Sequence, residues 1–169
     1  MATAQTHLVA SLRHGAGVVE CVRTVNQFVA QHSAEREFVT LFLGIIDTEA
    51  RTLTCVDAGH GYAALVCPGI GAERINVTGG LPIGIDTVAN YGSSELALPE
   101  GCRLVLFSDG IPEQRSPEGE EFGFGRVLEI LNHCTDMEAD ITAVTNGLRA
   151  FAESDAFADD VTMASIGMV

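Results

Sequence analysis

The chain has 169 residues, 47% of them hydrophobic, and a formal net charge of −14 in which nine arginines and no lysine face 23 acidic residues. That length accommodates one domain with a sizeable core, and two would be cramped. No apolar run approaches the roughly 20 residues that cross a bilayer, and so negative a surface repels a nucleic-acid backbone, so neither a membrane nor a nucleic acid is expected as partner.

The opening MATAQTHLVASLRH is apolar on one face but has no basic leader and no small-residue cleavage site, which makes the cytoplasm the expected location. Residues 1–14 and 18–32 carry apolar residues at helical spacing, with Val18, Val22, Val25, Phe28 and Val29 on one face of the second segment, and Gly15-Ala16-Gly17 separates two helices. From residue 38 the texture changes to short β-branched and aromatic runs: FVTLFLGIID, RTLTCVDAG and YAALVC, joined by the turn signals DTEAR and GHG. These three read as an antiparallel meander. Further strands are expected at INV (75–77), YGSSELALP (91–99) and CRLVLF (102–107), with PGIGAE (68–73) and the stretch 111–121 as flexible loops. Helical periodicity returns in FGRVLEILNHC and MEADITAVTNGLRAFAES, and VTMASIGMV closes the chain as a strand. Helices, strands, helices and a last strand predict an α+β fold with antiparallel sheet covered by helices, in a single domain over 1–169.

The five cysteines at 21, 55, 67, 102 and 134 are odd in number, widely spaced and mostly flanked by apolar residues. Free thiols are expected in preference to a disulfide or zinc framework.

The chemistry gathers at two strand ends. LFSDGIPEQRSPEGEEFG (106–123) runs an apolar strand straight into Asp109, and Asp159-Asp160 stands directly before the last strand. If those strands are neighbours in one sheet, the carboxylates meet, and a hard divalent cation would relieve their repulsion. Such an ion acidifies a water for attack on a phosphorus or carbonyl centre, so metal-dependent hydrolysis is one reading. On spacing alone a plainer reading stays open, because Asp-Gly is a common turn pair and an acid before a strand commonly solvates its loop. Thr40 reads as an alternating strand residue, Phe122 and Phe124 as helix anchors, and Glu118, Glu120 and Glu121 as a solvated helix start. Arg115 reads as a solvated loop arginine that could also steer a phosphate. No G-x-S-x-G and no Cys–His arrangement marks a nucleophile.

Taken in order, FVTLFLGIID, AGH, LPIGI, LFSDGIPEQRSPEGEEFG and ADDVTM resemble the PPM-type metal-dependent serine/threonine phosphatases, in the bacterial branch of sporulation stage II protein E and the stress-response sigma-regulator phosphatases. The resemblance implies an αββα sandwich of two mainly antiparallel sheets. It implies Asp109 and Asp159 as ligands of Mn²⁺ or Mg²⁺, two ions in the complete domain, with Asp160 orienting its neighbour from behind. It further implies hydrolysis of phosphoserine or phosphothreonine on a regulatory protein, of the anti-sigma-factor antagonist type, by a metal-activated water. An upstream sensor domain and a homodimer are possible additions in such a family.

Relatives also carry D-x-x-G-H-G ahead of the first long helix, with an aspartate that bridges the two ions. No such motif precedes the first helix here, so the N-terminal strands and this ligand are expected upstream. Asp57-Ala-Gly-His-Gly imitates the motif, but its aspartate is one residue too close to the glycine and a strand follows it. It better matches the family's AGH hairpin, leaving Asp57 as a secondary ligand candidate and His60 as a turn histidine bordering the cleft. The missing bridging aspartate keeps a second reading open, a catalytically inactive pseudophosphatase that serves as a protein-binding regulatory module.

Overall fold

The computed structural model describes residues 2–32, 38–77 and 79–168. It is a mixed α/β structure of two antiparallel sheets and four helices, which is the expected fold class. The chain forms two compact units, Met1–Gly61 with Asn76–Ala97, and Tyr62–Ile75 with Leu98–Val169. No helix among the described residues is long and apolar enough to cross a membrane.

The first unit holds α1 (Ala2–Arg13), α2 (Val18–His32), β1 (Leu41–Asp47), β2 (Thr52–Ala58) and β5 (Ser94–Ala97), in a sheet of order β1-β2-β5. The apolar stripe read from the sequence is the buried face of α2: Val18, Val22, Val25 and Val29 pack on Val56 and Ala58 of β2 together with Ile83 and Tyr91. Buried Asn26 on the same helix is satisfied by the 80–90 segment: its amide nitrogen donates to Asp86 O at 2.8 Å and its amide oxygen accepts from Gly84 N–H at 2.9 Å. Thr40 lies just before β1, outside the strand.

The second unit holds β3 (Ala63–Cys67), β4 (Gly71–Arg74), β6 (Arg103–Phe107), α3 (Gly123–Leu131), α4 (Met137–Ala152) and β7 (Met163–Gly167), in a sheet of order β4-β3-β6-β7. Ala64, Val66, Val105 and Phe107 bury against Phe122, Val127, Leu131, Val144 and Leu148. Phe122 and Phe124 anchor α3 on this core as the sequence suggested. A charged pair is set into the packing. Arg103 grips fully buried Asp140 through Nε at 2.7 Å and Nη2 at 3.0 Å, and its guanidinium also donates to the carbonyls of Cys134 and Thr135. Ser165 Oγ donates to the same carboxylate at 2.7 Å, so β6, β7 and α4 are tied by one buried network with its partners in place. Asp136 caps α4, accepting from Ala139 N–H at 2.9 Å.

Three expectations are corrected. The meander ends after two strands, because β3 pairs with β4 and β6 and not with β2. The change of sheet occurs at Gly59-His60-Gly61, whose two glycines take φ of +76° and +73°. The strand expected at 75–77 lies instead at Gly71–Arg74, overlapping the segment 68–73 read as flexible. Gly69 and Gly71, at φ of +77° and +103°, fold a tight hairpin between β3 and β4, so these glycines signalled a turn. Last, Cys67 and Cys102 form a disulfide, while Cys21, Cys55 and Cys134 are free. The β3–β6 register pairs Val66 with Arg103, which sets the next two residues opposite each other with Cα atoms 4.3 Å apart. Strand register creates that proximity, and spacing along the chain does not reveal it.

Candidate metal centre

Strand β6 is almost wholly buried and delivers Ser108 and Asp109 to its carboxyl end, where hydrophobic burial stops and Asp109 is exposed. Strand β7 pairs alongside it, Phe107 opposite Met163, so the residues before β7 arrive at the same edge. Ser108 then locks the two loops together. Its N–H donates to Thr162 O at 2.9 Å, its hydroxyl donates to Asp160 O at 2.9 Å, and the same hydroxyl oxygen accepts from Thr162 N–H at 3.0 Å. Gly110 completes the fit: a Cβ there would lie 2.5 Å from Asp160 O and 3.1 Å from its carbonyl carbon, both backbone atoms that cannot swing aside. Serine and glycine on either side of Asp109 are therefore what allow the Asp159-Asp160 backbone to lie directly against the turn.

The aspartates Asp109, Asp159 and Asp160 are all exposed. Asp159 Oδ1 accepts the backbone N–H of Asp160 at 2.7 Å, so the part of Asp160 that touches Asp159 is its amide. Among the described residues no hydrogen-bond donor is spent on the Asp109 carboxylate, whereas its carbonyl closes the following turn by accepting Glu113 N–H at 3.0 Å. Glu113 in turn accepts from the Tyr62 hydroxyl at 3.1 Å. Burial, then the Glu113 carboxylate that accepts its hydrogen bond, then Asp109 push the Tyr62 phenol up, with Arg74 acting in the opposite sense.

Asp57 has a different setting, in the first unit. It is 9% exposed, and its two carboxylate oxygens accept His60 N–H at 2.7 Å and Gly61 N–H at 2.8 Å, while its carbonyl accepts Gly80 N–H at 2.9 Å. The carboxylate closes the turn at which the chain changes sheets, and His60 is the turn histidine expected of it. Nearby Cys55 is pushed up to about 11, first by burial and then by the Asp57 charge.

Two further expectations change in detail. Glu121 pairs with Arg115 at 2.9 Å and Glu120 with Arg126 at 2.7 Å, while α3 begins only at Gly123, so these acids brace a loop where a helix dipole had been expected to favour them. Arg115 is exposed and engaged in that pair.

Adjacent carboxylates offer hard oxygen donors of the kind Mg²⁺ and Mn²⁺ take, often one or two from protein with water completing the shell. Among the described residues no group of three or more His, Cys, Asp or Glu side chains converges as a metal cage. Asp109 and Asp159 are exposed carboxylates on two loops whose backbones pack together, and their oxygen donors are of the type a hard cation takes. The Ser108 clamp and the Tyr62–Glu113 bond were not foreseen from sequence. The first had a signal, the serine of S-D-G, and the second joins residues 51 positions apart.

Residues 1–168 match the family Stage II sporulation protein E (SpoIIE). The Synechocystis sp. protein IcfG is 27% identical over 150 residues, which cover 88% of this chain and 24% of IcfG. Among solved structures, the RsbU and RsbW domains of Rv1364c from Mycobacterium tuberculosis superpose with a TM-score of 0.81 at 22% identity, over 99% of this chain and 46% of that one. The manganese-presoaked phosphatase domain of SpoIIE from Bacillus subtilis gives 0.67 at 20%, over 95% and 70%. The chain therefore spans about a quarter of IcfG and less than half of the Rv1364c chain. Sequence match over nearly the whole length shows that the chain belongs to the SpoIIE family, and its fold is shared with these solved domains.

Proposed function

We propose that this domain removes phosphate from phosphoserine or phosphothreonine on a regulatory protein, of the anti-sigma-factor antagonist type, with Mn²⁺ or Mg²⁺ as cofactor. The observation that carries this reading is the Ser108–Gly110 clamp, which seats Asp109 against Asp159-Asp160 and exposes all three carboxylates at one strand edge. Family membership and the manganese presoak of a SpoIIE phosphatase domain support it. Asp109 and Asp159 hold the cation, and the Asp160 amide keeps Asp159 turned. When bound, the ion supplies electrophilic assistance at phosphorus and a more acidic water. Ser108 and Gly110 keep the two carboxylates in register, so little reorganisation is needed when the ion enters. In the longer relatives such a domain is one part of a multidomain protein, and we propose the same setting here, with other segments supplying sensing and partner contact.

A second reading, a protein-binding module without catalysis, is favoured by the lack of a three-residue metal cage among the described residues. Phosphate release from a phosphoserine protein and from an aryl phosphate, measured with and without Mn²⁺ for the wild type and Asp109→Asn, decides between them. The first reading expects Mn²⁺-dependent release that falls in the variant to the metal-free level. Equal release by both proteins overturns the assignment of Asp109, and a wild type that releases none but binds the phosphoprotein favours the second reading.

A further inference from the structure

Cys67 ends β3 and Cys102 directly precedes β6, so the bond between them lies at the end of β6 away from Asp109. The backbone around each half is held without that bond. Cys67 O accepts Ile70 N–H at 3.1 Å, and Cys67 pairs with Gly71 in the β3–β4 ladder. Cys102 N–H donates to Pro99 O at 3.0 Å, and Cys102 O accepts Met168 N–H at 3.0 Å. Opening the S–S bond therefore leaves two thiols facing each other at high effective concentration, from which it re-forms. What the bond adds is closure of a loop between residues 35 apart, a loop that includes Asn76–Ala97.

The bond can also be approached from one side. A cavity of about 430 Å³ in the second unit has Cys67, Arg103, Cys134 and Thr135 in its wall, whereas Cys102 is 2% exposed and no part of it. Cys134 is a free thiol in the same wall, but its Sγ donates to Ile130 O at 3.3 Å. Burial, then the Asp140 charge, push that thiol up, so it stays protonated and unreactive beside the disulfide.

We propose that Cys67–Cys102 is a reversible thiol–disulfide exchange site, opened through the cavity at Cys67 by a small dithiol, by which redox state sets the stability of the fold. One thiolate of the dithiol attacks Cys67 Sγ, the Cys67–Cys102 bond breaks, and its electron pair leaves on Cys102 Sγ, which takes a proton from water. The second thiolate then attacks the dithiol's own sulfur in the mixed disulfide and releases Cys67, which is protonated in turn. The protein gains two electrons and two protons, and the dithiol is oxidised to a disulfide. The reverse steps close the bond. Neither the metal nor the phosphatase reading enters this inference.

The test treats the folded wild type, at neutral pH without denaturant, with reduced and then oxidised dithiothreitol, and counts thiols by mass after quenching, unfolding and alkylation. The count should rise from three to five and return to three, with the amide spectrum of the folded protein kept throughout. Opening should lower the thermal midpoint by about 5 °C or more as the loop is released. The side of attack is read with 2,2′-dithiodipyridine and peptide masses. Cys67 in Cys102→Ser should react about tenfold or more faster than Cys102 in Cys67→Ser. A bond that dithiothreitol opens only once the protein unfolds overturns the proposal, as does one that does not close again. An unchanged midpoint on opening, or a Cys102 that reacts as fast as Cys67, overturns it too. The thiol count on the wild type decides even where a variant fails to fold.

Discussion

Asp57 near the end of β2 and Asp109 just beyond β6 each stand where an apolar strand gives way to a glycine turn, and the chain uses them in opposite ways. Asp57 is buried, and both of its oxygens are taken by backbone amides of the turn it closes. Asp109 is exposed, and the turn around it is held by Ser108 and by main-chain bonds, without its carboxylate. A carboxylate already spent on N–H groups has little left for an ion, and displacing it would leave those part-buried amides unpaired. One held in position by its neighbours keeps its oxygens available. What separates a structural aspartate from a candidate metal ligand here is where the local hydrogen bonds end, not the residue type or the glycine that follows.

Removing a partner from a buried carboxylate should have the largest effect on stability. Arg103→Ala strands fully buried Asp140, and loss of one member of such a pair typically costs about 3–5 kcal/mol; denaturant unfolding of the variant measures it. Arg103→Met with Asp140→Leu should recover much of the loss, and a double variant as unstable as the single one would show that the network does more than neutralise charge. Asp57→Ala comes next. It removes two charge-assisted bonds to part-buried amides and should cost about 2–4 kcal/mol, so an unchanged urea midpoint would mean that the turn holds without it.

A smaller and pH-dependent effect belongs to Asp136. The backbone N–H of Ala139, then the Thr135 hydroxyl, hold its carboxyl below the usual aspartate range. A depressed folded value means that the cap contributes fully above the unfolded value of about 3.9 and is lost as pH falls through the folded value. The stability gap between the wild type and Asp136→Ala should stay constant from neutral pH to about 5 and shrink below about 4. A gap that persists at the acid end would contradict the ionised cap. Asp109→Asn should have the smallest effect on folding, within about 0.5 kcal/mol, as expected for an exposed side chain away from such features. A large loss would place Asp109 with Asp57 and erase the contrast.

The two acidic loops could be read in the sequence because each is a short contiguous motif at the end of a strongly apolar strand. Periodicity likewise revealed α2 and its buried valines, whose 3.6-residue repeat is a local signal. Features that depend on register could not be read in this way. Cys67 and Cys102 are 35 residues apart and face each other only because of how β3 pairs with β6. The β3–β4 hairpin escapes a sequence reading because its glycines read equally as flexibility, whereas their positive φ values make a turn. The ring contacts that join Arg74, Phe124, Tyr62 and Phe107 draw on two strands, a helix and the residue before β3, none of which signals the others along the chain.

Calorimetric titration of Mn²⁺ into the wild type, Asp109→Asn and Asp57→Asn tests the contrast most directly. The account predicts that Asp109→Asn loses the binding seen in the wild type while its fold is intact, and that Asp57→Asn, once shown to be folded, keeps it. Equal Mn²⁺ affinity in the wild type and Asp109→Asn, with binding lost instead in a folded Asp57→Asn, would contradict it.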